Sequence, residues 1–449
     1  MDETKLICYG GVGSPTGANF LLEIGQEKIL VDCGMTQGNS GADKLNSGPF
    51  SFDPSSIKTL FITHAHIDHT GLVPKLVKDG FRGEIYSTLE TKRIAELLLM
   101  DSAKINGEKN EALYNFSHVE KMLTLWKTLR YREPQDFGRF SVELFNAGHV
   151  LGSAMVKFNL PNGKTALFSG DIGNYPSPLL KAQEQVPDVD YLLMESVYGN
   201  RNHEDKETRV AKLQEIIKQV IKYSSTLLIP SFALERTQAI LYELDNFFES
   251  KTLPEIPVFL DSPLAIKITD IYEEAIEQYN AEVQNEIKSG DEIFNFRKLR
   301  ETASVRDSKA IAQIPGPKII LAGSGMSTGG RILSHEAIYL PDANNVILFV
   351  GYQAPGTLGR QIEEGMKEVV IDEKKIKVRA RIERIDGFSA HADSDGLVDF
   401  ANKNGKKSKK VFIAMGEPKS SIFLAQRLRD ELGIDAFVPE AGKTYILGL

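Results

Sequence analysis

The chain has 449 residues, 42% of them hydrophobic and 25% charged, and a net charge of −8. Its length predicts two or three domains. No apolar run of about 18 residues occurs, which predicts that no segment spans a membrane, and the N-terminus lacks the pattern of a secretory signal. The acidic charge argues against a broadly basic surface. It does not exclude nucleic acid as a partner, because a cleft can be locally positive.

Two cysteines, Cys8 and Cys33, are too few for a disulfide framework. Both lie in apolar segments, and the sequence predicts that they fill the core. A reducing, cytoplasmic location is therefore expected.

The first 200 residues alternate short β-rich runs with glycine-rich turns, which predicts strands joined by tight loops. The predicted strands cover residues 6–9, 19–24, 28–31, 60–62, 141–145, 154–160, 164–169 and 191–194. Helical spacing occurs at residues 88–104 and 117–129, and Ser117 is the predicted N-cap of the second helix.

The pattern changes after residue 204, where longer helices alternate with short strands. The predicted helices cover residues 207–223, 237–248 and 265–279, and the strands cover 226–229, 258–260, 318–321 and 345–349. Such alternation favours βαβ units and a parallel sheet. After residue 375 the chain turns β-rich again, with strands at 378–385 and 411–414 and a helix at 422–432. These changes predict domain limits of 1–204, 205–375 and 376–449.

Four potential metal ligands lie within six residues, at His64, His66, Asp68 and His69. They follow residues 59–63, an apolar run that predicts a short buried strand. A strand end gives ligands a rigid base, and the following loop lets them converge. The alternative is a histidine-rich surface loop. It is disfavoured because downstream residues complete a ligand set.

Three further residues, Asp32, His149 and Asp171, each follow an apolar strand beside a glycine. Glycine allows side chains to approach a shared site closely. Taken singly, each residue is better interpreted as a turn aspartate or a hydrogen-bonded core histidine. Their joint occurrence after the histidine cluster favours one metal site.

In this order, these motifs resemble those of the metallo-β-lactamase superfamily. The resemblance implies a four-layer αββα sandwich with a two-zinc site between the sheets. It implies these ligands: His64, His66 and His149 for one zinc, Asp68 and His69 for the other, and Asp171 as the bridge. It also implies that Asp32 orients ligands as a supporting carboxylate. A mixed nitrogen and oxygen donor set suits zinc.

The middle and C-terminal motifs are similar to those of the β-CASP branch of that superfamily. Glu195 follows the strand 191–194, and His391 lies in the segment 387–393. The other motifs that carry the resemblance lie at residues 230–233, 236–238, 261–263 and 323–326. The branch consists of nucleases acting on RNA or DNA. The resemblance implies an α/β (α+β) chain in which a β-CASP domain (205–375) is inserted between two parts of a metallo-β-lactamase domain (1–204 and 376–449).

The chemistry implied is attack by metal-bound hydroxide on a phosphodiester, with Asp68 and Asp171 supporting the catalytic metals. The leaving alkoxide needs a proton, and His391 held by Glu195 is the expected general acid. The alternative interpretation of His391 is a loop histidine before a helix.

A glycine-rich stretch at residues 323–331 precedes a helical run. Backbone N–H groups at a helix start can bind phosphate, and an arginine adds charge. The expected substrate contacts are Ser231, Arg236, Ser324, Gly325, Arg331 and Arg360. His335 lies one turn past Arg331, and the sequence leaves open whether it faces a cleft or the surface.

The chain departs from the pattern at Met415. RNA-acting members of the branch place a histidine there, which completes the metal site of Asp68 and His69. A thioether is a soft ligand that does not favour zinc, so Met415 is not an expected ligand. The departure predicts that the second metal site binds its ion weakly or is completed by water. It also weakens the prediction that the substrate is RNA.

The function expected from these motifs is zinc-dependent hydrolysis of single-stranded RNA. One alternative is a DNA nuclease with the same residues. Another is a nucleic-acid-binding protein with catalysis impaired by Met415. A small-molecule hydrolase is disfavoured by the inserted domain. Relatives often dimerise, which leaves a homodimer open.

Overall fold

The computed structural model describes residues 3–38, 41–107, 113–354 and 356–448. They form two compact units, which we call unit 1 (Met1–Asn202 and Ala390–Leu449) and unit 2 (His203–Ser389). The sequence of unit 2 is thus inserted between two segments of unit 1. The domain limits expected from the sequence stay a prediction. Within these described ranges, no helix has both the length and the apolar character that a membrane crossing needs.

Unit 1 contains two seven-stranded sheets in its described residues. The first sheet has the order β22-β1-β2-β3-β4-β5-β6, with β1 (Thr4–Gly10), β2 (Asn19–Ile24), β3 (Glu27–Val31), β4 (Ile57–Phe61), β5 (Glu84–Ser87), β6 (Trp126–Thr128) and β22 (Thr444–Leu447). The second has the order β21-β20-β11-β10-β9-β8-β7, with β7 (Gln135–Asp136), β8 (Ser141–Asn146), β9 (Ala154–Asn159), β10 (Thr165–Phe168), β11 (Tyr191–Met194), β20 (Lys410–Ile413) and β21 (Ala436–Phe437).

A single apolar core lies between these two sheets. Phe61 of the first sheet packs edge-on against Phe158 of the second, with ring centroids 5.3 Å apart, and Phe20 contacts Phe168 in the same layer. Cys8 is buried in this core, and burial raises its pKa to about 12. Cys33 is also buried. The prediction that both cysteines fill the interior is therefore confirmed.

Helices cover the outer faces of the sandwich. The helices of unit 1 are α1 (Ala42–Ser47), α2 (Ile67–Thr70), α3 (Val73–Lys78), α4 (Leu89–Gly107), α5 (Phe116–Thr124), α13 (Ser394–Asn404) and α14 (Pro418–Leu432). Phe400 of α13 and Leu424 of α14 pack with Leu192 and Ile413 of the second sheet. On the other side, α4 contacts α5 and β6. The αββα order expected from the resemblance is confirmed.

Unit 2 is built around a parallel sheet of six strands in its described residues, ordered β14-β13-β15-β12-β16-β19. The strands are β12 (Thr226–Pro230), β13 (Val258–Asp261), β14 (Leu299–Glu301), β15 (Lys318–Ala322), β16 (Val346–Phe349) and β19 (Arg381–Arg384), and a hairpin joins β17 (Glu368–Ile371) to β18 (Lys374–Lys377). The helices are α6 (Lys206–Lys222), α7 (Arg236–Glu249), α8 (Pro263–Glu274), α9 (Ala281–Lys288), α10 (Val305–Ala310), α11 (Ile332–Tyr339) and α12 (Leu358–Glu363).

The central strands of unit 2 are buried on both faces, which explains their continuous apolar sequence. All five residues of β12 and of β15 are buried. On one face, Ile320 and Ile347 pack against Ile332 of α11 and Ile362 of α12. The βαβ pattern predicted for this region is confirmed, and the parallel order brings all strand C-termini to one edge.

The segment 117–129 corrects one prediction. Its helix begins after Asn115, whose side chain accepts from the N–H of His118, while the ring of His118 accepts from the N–H of Asn115. Ser117 is therefore not the N-cap. The helix ends at Thr124, and Trp126 then pairs with Ile85 of β5. Pairing with a distant strand outweighs the local helical spacing.

Candidate metal centre

The histidine cluster begins where β4 ends, as predicted. β3 and β4 are parallel neighbours with Val31 opposite Phe61, so Asp32 and Thr63 emerge side by side. From the second sheet, His149 lies in the connection between β8 and β9, and Asp171 follows β10. The ends of four strands therefore supply the side chains of one site within unit 1.

Four of the predicted ligand residues converge on one point. Nδ1 of His66 lies 3.0 Å from Nε2 of His64 and 3.3 Å from Nε2 of His149. Oδ2 of Asp171 lies 3.4 Å from Nε2 of His64 and 3.5 Å from Nε2 of His149. Tetrahedral ligands at about 2.0–2.2 Å from zinc stand about 3.3–3.6 Å from one another. These three nitrogens and one oxygen thus fit one tetrahedral ion.

The electrostatics of this group favour a cation. Burial lowers the pKa of His64, and burial together with neighbouring histidines holds the pKa values of His66 and His149 well below their usual range. The three imidazoles are therefore neutral at neutral pH, which is the form that binds metal. Their nitrogen lone pairs and the Asp171 carboxylate point at a common centre. A cation there would offset the repulsion between these closely spaced acceptor atoms.

The other oxygen of Asp171 faces the second half of the cluster. Oδ1 lies 3.4 Å from Nε2 of His69. Both atoms are buried, and neither has a hydrogen-bond partner among the residues that the structure describes. Such orphaned buried atoms need an explanation, and a bound ion is one. One oxygen of Asp171 therefore faces His64 and His149, and the other faces His69.

Asp68 and His69 form the second half of the cluster. Nδ1 of His69 lies 2.7 Å from Oδ2 of Asp32. Burial alone would lower the pKa of His69, but the carboxylates of Asp171 and Asp32 raise it well above its usual value. Desolvation raises the pKa of the Asp68 carboxyl, against the lowering effect of His69. The tight four-ligand geometry belongs to the other half of the cluster.

Thr63 is a supporting residue that motif reasoning missed. Its N–H and hydroxyl both donate to the two oxygens of Asp32, at 2.8 Å each. The same hydroxyl oxygen lies 3.1 Å from Nδ1 of His64. Thr63 and Asp32 therefore fix the rings of His64 and His69 from behind. The signal in the sequence was a β-branched hydroxyl residue directly before the first histidine.

Glu195 and His391 form a pair beside the same centre. Nδ1 of His391 lies 3.1 Å from Oε1 of Glu195 and 3.8 Å from Oδ2 of Asp171. Glu195 is fully buried and accepts from the N–H groups of Ile172 and Val197. Burial raises the pKa of its carboxyl, although His391 opposes the shift. The His391 side chain remains 20% exposed, so it is within reach of a ligand from solvent.

Two glycines are required by close backbone approaches around the site. A Cβ on Gly34 would lie 1.5 Å from the carbonyl oxygen of Asp68, and a Cβ on Gly173 would lie 1.9 Å from that of Gly148. The loop after β3 can therefore pass close to α2, which carries Asp68 and His69. The loop after Asp171 can pack beside the segment that carries His149.

Met415 lies in the apolar core of unit 1 and is fully buried. Its N–H donates to the carbonyl of Gly11 at 2.6 Å. A Cβ on Gly11 would lie 3.2 Å from Cγ of Met415. The thioether packs against apolar neighbours of this core.

The expected substrate contacts all lie in unit 2, near the C-terminal ends of parallel strands. Ser231 follows β12, and Ser324 and Gly325 follow β15. Arg236 begins α7, and Arg360 lies in α12. Ligands of open parallel sheets bind at this edge. The structure thus brings these residues to one edge of the sheet.

The three arginines of that group already have partners inside unit 2. Arg331 donates to Oδ1 of Asp261 at 2.6 Å and to the carbonyls of two residues after β14. Arg360 pairs with Glu364 at 2.7 Å, and Arg236 donates to the carbonyl of Phe388. A phosphate contact by any of them would have to compete with these bonds.

His335 is buried, with Nε2 2.7 Å from Oδ2 of Asp261. The interpretation of His335 as a surface residue is therefore wrong. His335 and Arg331 both hydrogen-bond the buried carboxylate of Asp261. Despite burial, these and other hydrogen bonds lower the pKa of Asp261 to about 2. His335 therefore holds the end of β13 to α11.

Two aromatic residues at the same edge were missed by motif reasoning. Phe232 is 36% exposed and Tyr352 is 38% exposed. The ring of Phe232 lies over Gly325, where an added Cβ would come within 2.5 Å of it. Aromatic rings exposed in a loop can stack on bases. The signal was an aromatic residue two or three residues after the end of a buried strand, β12 for Phe232 and β16 for Tyr352.

Comparisons with known proteins agree with this arrangement. Three family models match the chain: the metallo-beta-lactamase superfamily over residues 16–191, the Beta-Casp domain over 237–362, and the Zn-dependent metallo-hydrolase RNA specificity domain over 375–439. The fold is also similar to a crystal structure of a protein of unknown function from Enterococcus faecalis, with a TM-score of 0.59, 14% identity, and coverage of 99% of this chain and 100% of that one.

Several curated proteins are similar over most of their length. The chain is 35% identical to Ribonuclease TTHA0252 of Thermus thermophilus, over 94% of this chain and 96% of that protein. It is 31% identical to Transcription termination factor FttA of Methanosarcina mazei, over 96% of this chain and 70% of that protein. It is 30% identical to an RNase J-like protein of Methanocaldococcus jannaschii, over 94% of each.

The two facing sheets, with histidines and carboxylates at their strand ends, define a metallo-hydrolase. The chain belongs to the β-CASP family of the metallo-β-lactamase superfamily. The family and fold expected from the sequence motifs are confirmed.

Proposed function

We propose that the chain is a zinc-dependent nuclease that hydrolyses phosphodiester bonds in single-stranded RNA. The observation that carries this proposal is the convergence of His64, His66, His149 and Asp171 beside the His391–Glu195 pair. Two comparisons support RNA as the substrate: the similarity to a ribonuclease over nearly the whole chain, and the match to an RNA specificity domain.

We assign the donor residues to two metal ions. His64, His66, His149 and Oδ2 of Asp171 would hold one zinc, and His69, Asp68 and Oδ1 of Asp171 would hold a second, weaker one. Zinc bound there would supply Lewis acidity and lower the pKa of a coordinated water towards about 7. Asp32 and Thr63 hold the rings in place, which sets their tautomers and their direction.

His391 would deliver the proton that the leaving oxygen needs. Its Nδ1 is bonded to Glu195, which leaves Nε2 as the atom to donate. Glu195 accepts two backbone N–H bonds and cannot swing away, so it orients the imidazole and stabilises its protonated form. General acid catalysis of this kind contributes about 10²–10⁴-fold in rate.

The C-terminal edge of the unit 2 sheet would bind the RNA strand. The hydroxyls of Ser231 and Ser324 and the backbone of Gly325 suit phosphate oxygens. Phe232 and Tyr352 would stack on bases without reading their sequence, and each stacked base contributes about 1–3 kcal/mol. Arg236, Arg331 and Arg360 would act mainly by holding this edge together and by their charge.

A second candidate is a nucleic-acid-binding protein with impaired turnover. The observation that favours it is Met415, which packs in the core where RNA-acting relatives place a histidine. This candidate predicts RNA binding without cleavage and at most one zinc per chain.

The two candidates, and a DNA nuclease, are separated by one experiment. Zinc-replete protein is incubated with RNA and DNA oligomers of the same sequence, and Asp171→Ala serves as the control. The proposal expects the RNA to be cut faster than the DNA and the control to be inactive. Faster cutting of DNA would make the chain a DNA nuclease. Intact RNA and DNA with both proteins would contradict the proposed nuclease.

A further inference from the structure

Unit 2 contains a second group of converging acidic side chains, formed by Asp245, Glu249 and Asp291. One carboxylate oxygen from each lies within 4.8 Å of the other two. Asp245 and Glu249 are one turn apart on α7, so they share a helix face. Asp291 follows the C-terminal end of α9, where its N–H donates to the carbonyl of Glu286. The group therefore joins two separate elements of unit 2.

Asp245 is the observation that sets this group apart from an ordinary acidic surface. It is 3% exposed, and among the described residues its carboxylate has no hydrogen-bond or ion-pair partner. A buried charge without a partner is strongly unfavourable. Burial, and then the charges of Asp291, Glu249 and Glu286, raise its pKa to about 7. Asp245 thus lies among negative charges, and no cationic side chain of the described residues pairs with it.

The remaining groups add to the negative potential. Glu249 and Asp291 lie within hydrogen-bonding distance of each other, and burial and Asp291 raise the pKa of Glu249. Glu286 is held nearby by the hydroxyl of Tyr242, which donates to its Oε2 at 2.8 Å. Asp291 also follows the C-terminal end of α9, which is the negative end of that helix dipole. The carboxylate oxygens of Glu249, Asp291 and Glu286 are hard donors.

We propose that Asp245, Glu249 and Asp291 bind a hard divalent cation, Ca²⁺ or Mg²⁺. Oxygen-only ligand sets suit these ions and not zinc, which takes nitrogen and sulfur ligands readily. Opposite ligands of Ca²⁺ at about 2.4 Å stand about 4.8 Å apart, so the three carboxylates can share one ion. The ion would tie α7 to the segment after α9. It uses none of the residues of the zinc centre.

The test is calorimetric titration of the full-length, zinc-loaded protein with CaCl₂ and, separately, with MgCl₂. We expect saturable binding of one ion per chain by at least one of the two salts, together with a rise in the melting temperature. The salt that binds more tightly identifies the ion. Zinc content is measured in parallel and should not change.

Three variants make the test specific. Glu249→Gln removes an exposed ligand and should weaken binding at least tenfold without disturbing folding. Asp245→Asn keeps the shape and removes a repulsive charge. It should abolish the cation-dependent rise in melting temperature while leaving the cation-free protein at least as stable as the wild type. Glu215 is an exposed acid on α6. The variant Glu215→Gln should change neither the cation affinity nor the cation-dependent rise in melting temperature. Absence of saturable binding by both salts, or undiminished binding by Glu249→Gln and Asp245→Asn, would overturn the proposal.

Discussion

Nδ1 of His391 and Oε1 of Glu195 are 3.1 Å apart, and Glu195 is buried and bonded to two backbone N–H groups. The carboxylate is therefore fixed, and the imidazole takes its orientation from it. This relationship supports the proposed role of His391 as a proton donor that is held in place before substrate arrives.

His391→Ala should reduce cleavage of an RNA oligomer by about 10²–10⁴-fold while zinc content stays unchanged. The effect should be much smaller with a p-nitrophenyl phosphodiester, because its leaving group departs without a proton. Rates on the two substrates check this. Equal losses on both would remove His391 from the proton-donor role, and loss of zinc in the variant would make it a ligand instead.

Thr63→Val should weaken zinc binding by about 10–100-fold, because Asp32 loses the hydroxyl that helps to hold it and the rings of His64 and His69 lose their support. Thr63→Ser keeps the hydroxyl and should restore most of the affinity. Competition with a chromogenic chelator measures both variants. If Thr63→Val binds zinc as tightly as the wild type, Thr63 only fills space.

Phe232→Ala should weaken binding of single-stranded RNA by about 1–3 kcal/mol, or roughly 5–150-fold, through the loss of one stacking surface. Phe232→Tyr keeps the ring and should bind normally. The measurement is fluorescence anisotropy with Asp171→Ala as the background, so that the RNA stays intact. Unchanged affinity in Phe232→Ala would exclude stacking at this position.

The stability of unit 2 should fall as the pH rises, because burial raises the pKa of Glu235 to about 7 from an ordinary value of 4.5. The folded chain holds this proton more tightly than the unfolded chain does. The stabilisation is therefore complete below pH 4.5 and is lost as the pH rises through about 7. Glu235→Gln should raise the melting temperature by roughly 2–8 °C at pH 8 and change it little at pH 4.5.

Differential scanning calorimetry at the two pH values checks the Glu235 prediction. The hydroxyl of Tyr272, which donates to Glu235, can still donate to the glutamine oxygen. Glu120→Gln, a change at an exposed site, serves as the control. A variant less stable than the wild type at pH 8 would show that Glu235 is ionised and stabilising.

Much of the candidate site could be predicted because its signals are local. His64, His66, His149 and Asp171 are ligand-type residues directly after predicted strands, and strand ends bring such residues to one edge. The family motifs then indicated their order and the roles of Glu195 and His391. The structure places these side chains together, and their roles in metal binding and catalysis stay our proposal.

What the sequence did not indicate depends on distant contacts. Arg331 lies in a glycine-rich stretch typical of phosphate binding, yet its guanidinium bonds Asp261, 70 residues away. Residues 126–128 have helical spacing, yet they pair with β5. No local pattern reports a partner at such separation. A homodimer stays an open possibility, and the cytoplasmic location stays a prediction.

The central claim is that zinc held at the ends of the sandwich strands drives RNA cleavage. Its most direct test is the cleavage rate of a single-stranded RNA oligomer as zinc is added to metal-free protein, with His66→Ala as the matched variant. The rate should rise from near zero and level off at about two zinc ions per chain, and His66→Ala should stay inactive over the same range. Cleavage that is independent of zinc, or a zinc-loaded wild type as inactive as His66→Ala, would contradict it.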